Sequence, residues 1–430
     1  MPKLHLTMKR IFSICAITVL LLGGVIKAQE PCKQIIGYYP SWQMYKRSGA
    51  VVPEVIDYSR YSILNYSFFA PDSNGYLKGT DPWADTLLLR GRIDWGKPQP
   101  AYFTNTSLID FSHLWGVKVM VSIGGWTLSD NFPGIADDPV KTKRFVDECV
   151  RVIKTYQFDG IDIDWEYPCY EEHSGRPDVD KENFTKFMYA IRLGIDSLGK
   201  TMGRIDEDKF LLTAAFGANK GQMDCIEYSK VSEFMDYINM MTYDFNGVWS
   251  PDANHNSPLY SPSSGYEGSL DLAFKLLQDK GVPAQKINLG VAFYGRSLKG
   301  FKGEEPAMYA EHDGKADVQR YPLHEGMPLY YRIVDEMDAY DKQEWDEAAQ
   351  NPYAISTKDS SLISYDNEKS IRLKAKYALD NKCAGVIIWD ATGDYIEKKK
   401  GSLLISGTPL VDQLVDVLQP CQMPRIKKRY

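Results

Sequence analysis

Eight short apolar runs, each bounded by turn residues and followed by a helical pattern, predict an α/β protein built as a closed (β/α)8 barrel of the TIM type. The runs are near-continuously aliphatic or aromatic, which suits parallel strands buried on both faces. A third observation is a gap. From Tyr294 to Ala384 is 90 positions, far more than one helix and two loops require, so a small α+β domain is inserted between strands 7 and 8. A doubly wound open sheet is the runner-up. Against it stands the absence of a GxGxxG or GKS/T phosphate turn after the first strands.

The elements follow in order. Residues 1–28 carry Lys3, Lys9 and Arg10, an apolar stretch over 11–26, and Lys27-Ala28-Gln29, which reads as a secretory signal peptide cut after Ala28. The apolar stretch is shorter than the ~20 residues a spanning helix needs, although Ile26 fits the small-residue rule imperfectly. No later segment is long and apolar enough to span a bilayer, so the mature chain is expected to be soluble, secreted or periplasmic. The strands are placed at 34–39, 62–69, 117–123, 158–166, 210–216, 237–244, 287–294 and 384–389. The barrel therefore occupies 29–296 and 365–430, and the insertion 297–364. The insertion is rich in Tyr, Asp, Glu and Gly, with an alternating piece at 328–334 and a helical piece near 344–350. Loops that follow barrel strands lie on the catalytic face, so the insertion should form one wall of a cleft. No linker, tandem repeat or cysteine-dense module flanks the barrel.

With 50 basic and 57 acidic residues the formal charge is −7, and loss of the signal removes four basic groups and no acid. A nucleic-acid partner is thereby disfavoured, because phosphates call for a concentrated basic face. Cys15 leaves with the signal; Cys32, Cys149, Cys169, Cys225, Cys383 and Cys421 remain, and export permits disulfides among them. Spacing leaves their pairing open, with buried free thiols as the alternative. His113, His173, His255, His312 and His324 are scattered without HExxH spacing and no CxxC knuckles occur, so neither a metal site nor a cofactor is expected.

The most informative stretch is 158–168. Extended backbone puts Asp162, Asp164 and Glu166 on one face and Ile161, Ile163 and Trp165 on the other. The apolar face can pack against helices outside the barrel, which turns three carboxylates, ~6–7 Å apart along the strand, toward its interior. Repulsion and desolvation then raise at least one pKa, which is what a general acid near neutral pH requires. An exposed edge strand with solvated acids is countered by the bulky apolar residues between them. A divalent cation on three oxygens is countered by the divergence of alternate positions along a strand.

Asp159-Gly160-Ile161-Asp162-Ile163-Asp164-Trp165-Glu166 resembles the DGxDxDxE signature of glycoside hydrolase family 18 chitinases. Other family-like segments appear in the expected order over most of the chain. They are Gly37-Tyr38-Tyr39-Pro40-Ser41-Trp42, Ser122-Ile123-Gly124-Gly125-Trp126 (SxGG), Met241-Thr242-Tyr243-Asp244 (MxYD), Tyr294-Gly295-Arg296, and Trp389 closing the eighth strand. The insertion sits where family chitinases with a deep groove carry theirs.

The resemblance implies a retaining mechanism in which the sugar's own N-acetyl oxygen, and not a second carboxylate, attacks the anomeric carbon. Glu166 would be the acid, Asp164 would hold the acetamido N–H, Asp162 would share a proton with Asp164, and Tyr243 would bond the acetamido oxygen. Substrate contacts are expected from Tyr38, Trp42, Phe68, Trp126, Met241, Asp244, Trp249, Tyr294, Arg296 and Trp389, with Trp389 as the floor. Asp159 and Ser122 are expected to organise the barrel by hydrogen bonding, and Gly124 and Gly125 to permit close backbone passage. The implied substrate is chitin or N-acetylglucosamine oligosaccharides and the implied state a monomer. Two competitors remain. An endo-β-N-acetylglucosaminidase acting on N-glycans usually lacks the insertion, and a non-catalytic chitinase-like lectin typically lacks the acid at the Glu166 position.

Overall fold

The computed structural model describes residues 32–421 except 48, 98–102, 263–267 and 304; the expected signal peptide lies outside these residues. Eight parallel strands, Gln34–Pro40, Ile63–Pro71, Lys118–Gly124, Gly160–Asp164, Leu211–Gly217, Tyr237–Met241, Ile287–Ala292 and Gly385–Trp389, pair each with the next. The first pairs with both the second and the eighth, so the sheet closes into a barrel.

Period-two alternation sorts the strand side chains between two cores. Ile161, Ile163 and Trp165 join the large core between barrel and helices, where the Trp165 indole stacks on Phe132 with ring centroids 5.5 Å apart. Ile36, Tyr38, Ile63, Met120 and Ile387 fill the lumen instead. The expectation that the apolar face of the acidic strand meets the outer helices is met.

Local signals set the helix limits. Asp138 caps Pro139–Tyr156 through the amides of Val140 and Lys141. Ser107 and Asp110 form a capping box on Leu108–Trp115, and Gly116 ends that helix in the left-handed conformation.

Beyond the seventh strand the chain builds a five-stranded antiparallel sheet, ordered His312–Lys315, Arg296–Phe301, Ser361–Ser364, Asn351–Ser356, Lys342–Asp346. Two pieces of it reverse the sequence reading. Residues 328–334 were expected to be extended, yet Tyr330–Glu336 is helical: Tyr330 and Ile333 point inward, and Arg332 pairs with Asp335 and Glu336 three and four positions on. The helix expected near 344–350 is instead the edge strand Lys342–Asp346, whose polar residues suit an exposed edge.

Two disulfides link Cys32 to Cys421 and Cys169 to Cys225. Cys149 and Cys383 are buried free thiols.

Candidate active site

The acidic row stands at the C-terminal end of the fourth strand, and the strand is shorter than the pattern suggested. It ends at Asp164, so Glu166 belongs to the loop beyond it. The sixth strand likewise ends at Met241, which puts Tyr243 and Asp244 in the following turn, Asp244 at φ 57°. In both places the backbone has left the ladder before the side chain in question.

Asp162 is fully buried and accepts hydrogen bonds from four strands: Tyr38 Oη at 2.9 Å, Ser122 Oγ at 2.8 Å, Thr213 Oγ1 at 2.5 Å and Asn239 Nδ2 at 3.3 Å. Burial raises its pKa and these donors pull it back. Asp164 is also buried, but its Oδ1 has no hydrogen-bond partner among the described residues. Burial first, then the charges of Glu166 and Asp162, push its carboxyl well above the usual range. Glu166, partly buried at the mouth, is pushed up to about 7, chiefly by burial, against a hydrogen bond from Tyr167 that lowers it. The row therefore runs from an anchored acid to two that burial holds protonated toward neutral pH, the inner one with an oxygen that meets no donor among the described residues.

The loops around the row are tied together by Ser129. Its hydroxyl accepts the Glu166 amide at 2.9 Å and donates to Gly125 O at 2.9 Å. The Gly125 amide donates to Asp164 O at 2.7 Å. A Cβ on Gly124, at φ 115°, would come within 2.2 Å of that same Asp164 oxygen, so glycine is required there.

Aromatic rings gather beside the acids. Trp389 has Tyr38 at 5.7 Å, Phe68 stacked at 5.8 Å and Trp42 at 6.3 Å, which brings four of the sequence candidates into one cluster. Tyr243 meets Tyr294 edge-on at 6.0 Å, and Met241 packs against both this pair and the lumen cluster. Across the mouth, Arg296 bonds Asp244 at 2.7 Å, and its guanidinium lies 4.4 Å over the exposed Trp249 ring. The Tyr294 hydroxyl also donates to Asp244. Trp126, half exposed, stands apart with Tyr167 at 6.2 Å and His173 at 4.4 Å.

Asp159 and Ser122 behave as organisers. Asp159 accepts His113 at 2.8 Å, Arg204 at 3.1 Å and the Val119 amide at 2.8 Å. Sequence reasoning missed Thr213, Asn239, Ser129 and Tyr167. The first two carried a usable signal, since each is a lone polar residue inside an apolar strand run at an inward-facing position. Tyr167→Phe removes the hydroxyl that lowers the Glu166 pKa. The carboxyl should then hold its proton to higher pH, and the alkaline limb of the kcat/KM profile should move up by as much as about one pH unit. An unmoved limb would show that this hydrogen bond has no influence on the acid.

The model of the family described as glycosyl hydrolases family 18 matches residues 34–394. Chitinase A1 of Niallia circulans is 30% identical over 95% of this chain, which spans 64% of that protein's length. The solved chitinase ChiA74 of Bacillus thuringiensis superposes with TM-score 0.77 at 28% identity, over 92% of this chain and 71% of its own. Human YKL-39, described as a pseudo-chitinase with retained chitooligosaccharide binding properties, shares the fold with TM-score 0.74 at 22% identity, over 90% of this chain and 99% of its own.

Proposed function

The chain belongs to glycosyl hydrolase family 18, and from that membership we propose that it is an exported chitinase, cleaving β-1,4 bonds between N-acetylglucosamine units with the sugar's own acetamido group as nucleophile. The observation that carries the reading is the graded acid row beside the Trp389 cluster.

Glu166, whose pKa burial pushes up to about 7, gives its proton to the glycosidic oxygen, and the leaving sugar departs as an alcohol. The acetamido oxygen attacks the anomeric carbon from the opposite face and forms an oxazolinium ion. Asp164, with an unpartnered oxygen, accepts the acetamido N–H and stabilises the positive charge as it develops. Asp162, held by four donors, shares a proton with Asp164. Tyr243 donates to the acetamido oxygen and aligns it. Water then opens the oxazolinium from the face the leaving group vacated, with Glu166 as base, so the configuration is retained. Trp389 and its ring neighbours supply apolar faces for the sugar C–H bonds, while Asp244 and Arg296 offer polar partners to its hydroxyls.

A product time course on N-acetylglucosamine oligomers of defined length, with anomer analysis, tests the reading. Release of short oligomers as the β-anomer is expected. Inverted product would overturn the mechanism, and binding without turnover would favour the lectin reading.

A further inference from the structure

Tyr243 and Asp244 lie beyond the sixth strand, so the ladder no longer fixes their backbone and other groups must. Asn256 and Ser257, further along the same loop, supply them. The Asp244 amide donates to Asn256 Oδ1 at 3.1 Å, and the Phe245 amide to Asn256 O at 3.0 Å. The Thr242 carbonyl, half of the peptide that leads into Tyr243, accepts the Ser257 hydroxyl at 2.7 Å. The Tyr243 ring itself is closely packed. A Cβ on Gly290 would stand 2.8 Å from its Cε1, and Tyr294 meets it edge-on, so the ring has little room to correct a displaced backbone.

Behind Ser257 sits a fully buried ion pair. Lys374, on the helix Glu368–Asp380, holds its ammonium group 2.7 Å from both oxygens of Asp366, and neither side chain reaches solvent. The other contacts of that ammonium are both on Ser257, to Oγ at 2.9 Å and to the carbonyl oxygen. An ammonium group only donates, so the Ser257 hydroxyl accepts from it and turns its own single proton to Thr242 O. Asp366 also accepts Ser370 Oγ at 2.6 Å, and just before it in the chain Ser364 Oγ accepts the Asn256 amide at 2.9 Å. Two charges taken out of water are often no more stabilising than apolar residues of the same volume, but their direction is fixed. Here that direction points at one serine.

We propose that Lys374 is a positioning residue for hydrolysis: through Ser257 it fixes the Thr242 carbonyl, and with it the place of the Tyr243 hydroxyl at the reacting acetamido group. The proposal rests on the chitinase reading and adds to it a residue of an outer helix that belongs to none of the motif segments.

Ser257→Ala cuts the link through the hydroxyl and leaves the Lys374–Asp366 pair in place. On N-acetylglucosamine oligomers it should lower kcat about tenfold with KM within about twofold. In a Tyr243→Phe background the same substitution should cost less than about twofold, because the hydroxyl it positions is gone. Lys374→Met/Asp366→Asn, which removes both charges and strands neither, should reproduce the loss and its disappearance in that background. Should this double variant fail to fold, the Ser257→Ala cycle decides alone. Equal losses with and without the Tyr243 hydroxyl, an unchanged kcat in Ser257→Ala, or a rise in KM alone would each overturn the proposal while leaving the chitinase reading intact. An unmodified protein that turns over no oligomer would instead overturn that reading and this proposal with it, so the two failures are told apart.

Discussion

Glu166→Gln should lower the hydrolysis of N-acetylglucosamine oligomers by about 10³-fold or more while leaving their affinity within a few-fold. The amide keeps the size of the acid and its place beside Tyr167, but it has no acidic proton to give. The ring cluster about Trp389 is untouched, so binding should survive. The pH profile of the unmodified protein should agree. A general acid must be protonated to act, and burial lifts the Glu166 pKa to about 7, so kcat/KM should hold below that pH and decline above it. Oligomer release by the Gln variant at the native rate would remove Glu166 from the mechanism.

Asp164→Asn should have the second largest effect, a fall in kcat of about 10²-fold with a smaller change in KM. Burial and two neighbouring acids already make a negative charge costly at this position, and its Oδ1 meets no donor among the described residues. That oxygen therefore suits a donor brought by the substrate. The asparagine retains an acceptor, so binding changes little, but it cannot offset the positive charge that forms as the oxazolinium closes. The measurement that decides is the separation of kcat from KM. A rise in KM with kcat unchanged would reduce Asp164 to an ordinary binding contact.

Much of this was legible from period and motif. The alternation Ile161, Ile163, Trp165 against Asp162, Asp164 depends only on extended backbone, and it correctly assigned the two faces of the strand. What escaped was non-local. The four donors on Asp162 come from four strands spread between Tyr38 and Asn239, and nothing in local pattern says that they converge. Strand ends were overrun at Glu166 and Tyr243 because an alternating pattern does not reveal where the backbone leaves the sheet. In the insertion, edge strand and helix were exchanged: Lys342–Asp346 pairs on one side with Asn351–Ser356, a neighbour that short-range pattern cannot supply. Cysteine spacing could not pair Cys32 with Cys421, since barrel closure alone brings those residues together.

That last bond reaches beyond folding. It joins positions 389 apart, one just before the first strand and one just after the helix Pro409–Leu418, and so turns the covalent path of the barrel into a loop without ends. A protease that nicks any single turn around the rim would open the loop but release no fragment. The clipped molecule would migrate as one species until reductant was added, and its staves, still hooped together, could go on holding the cleft in shape.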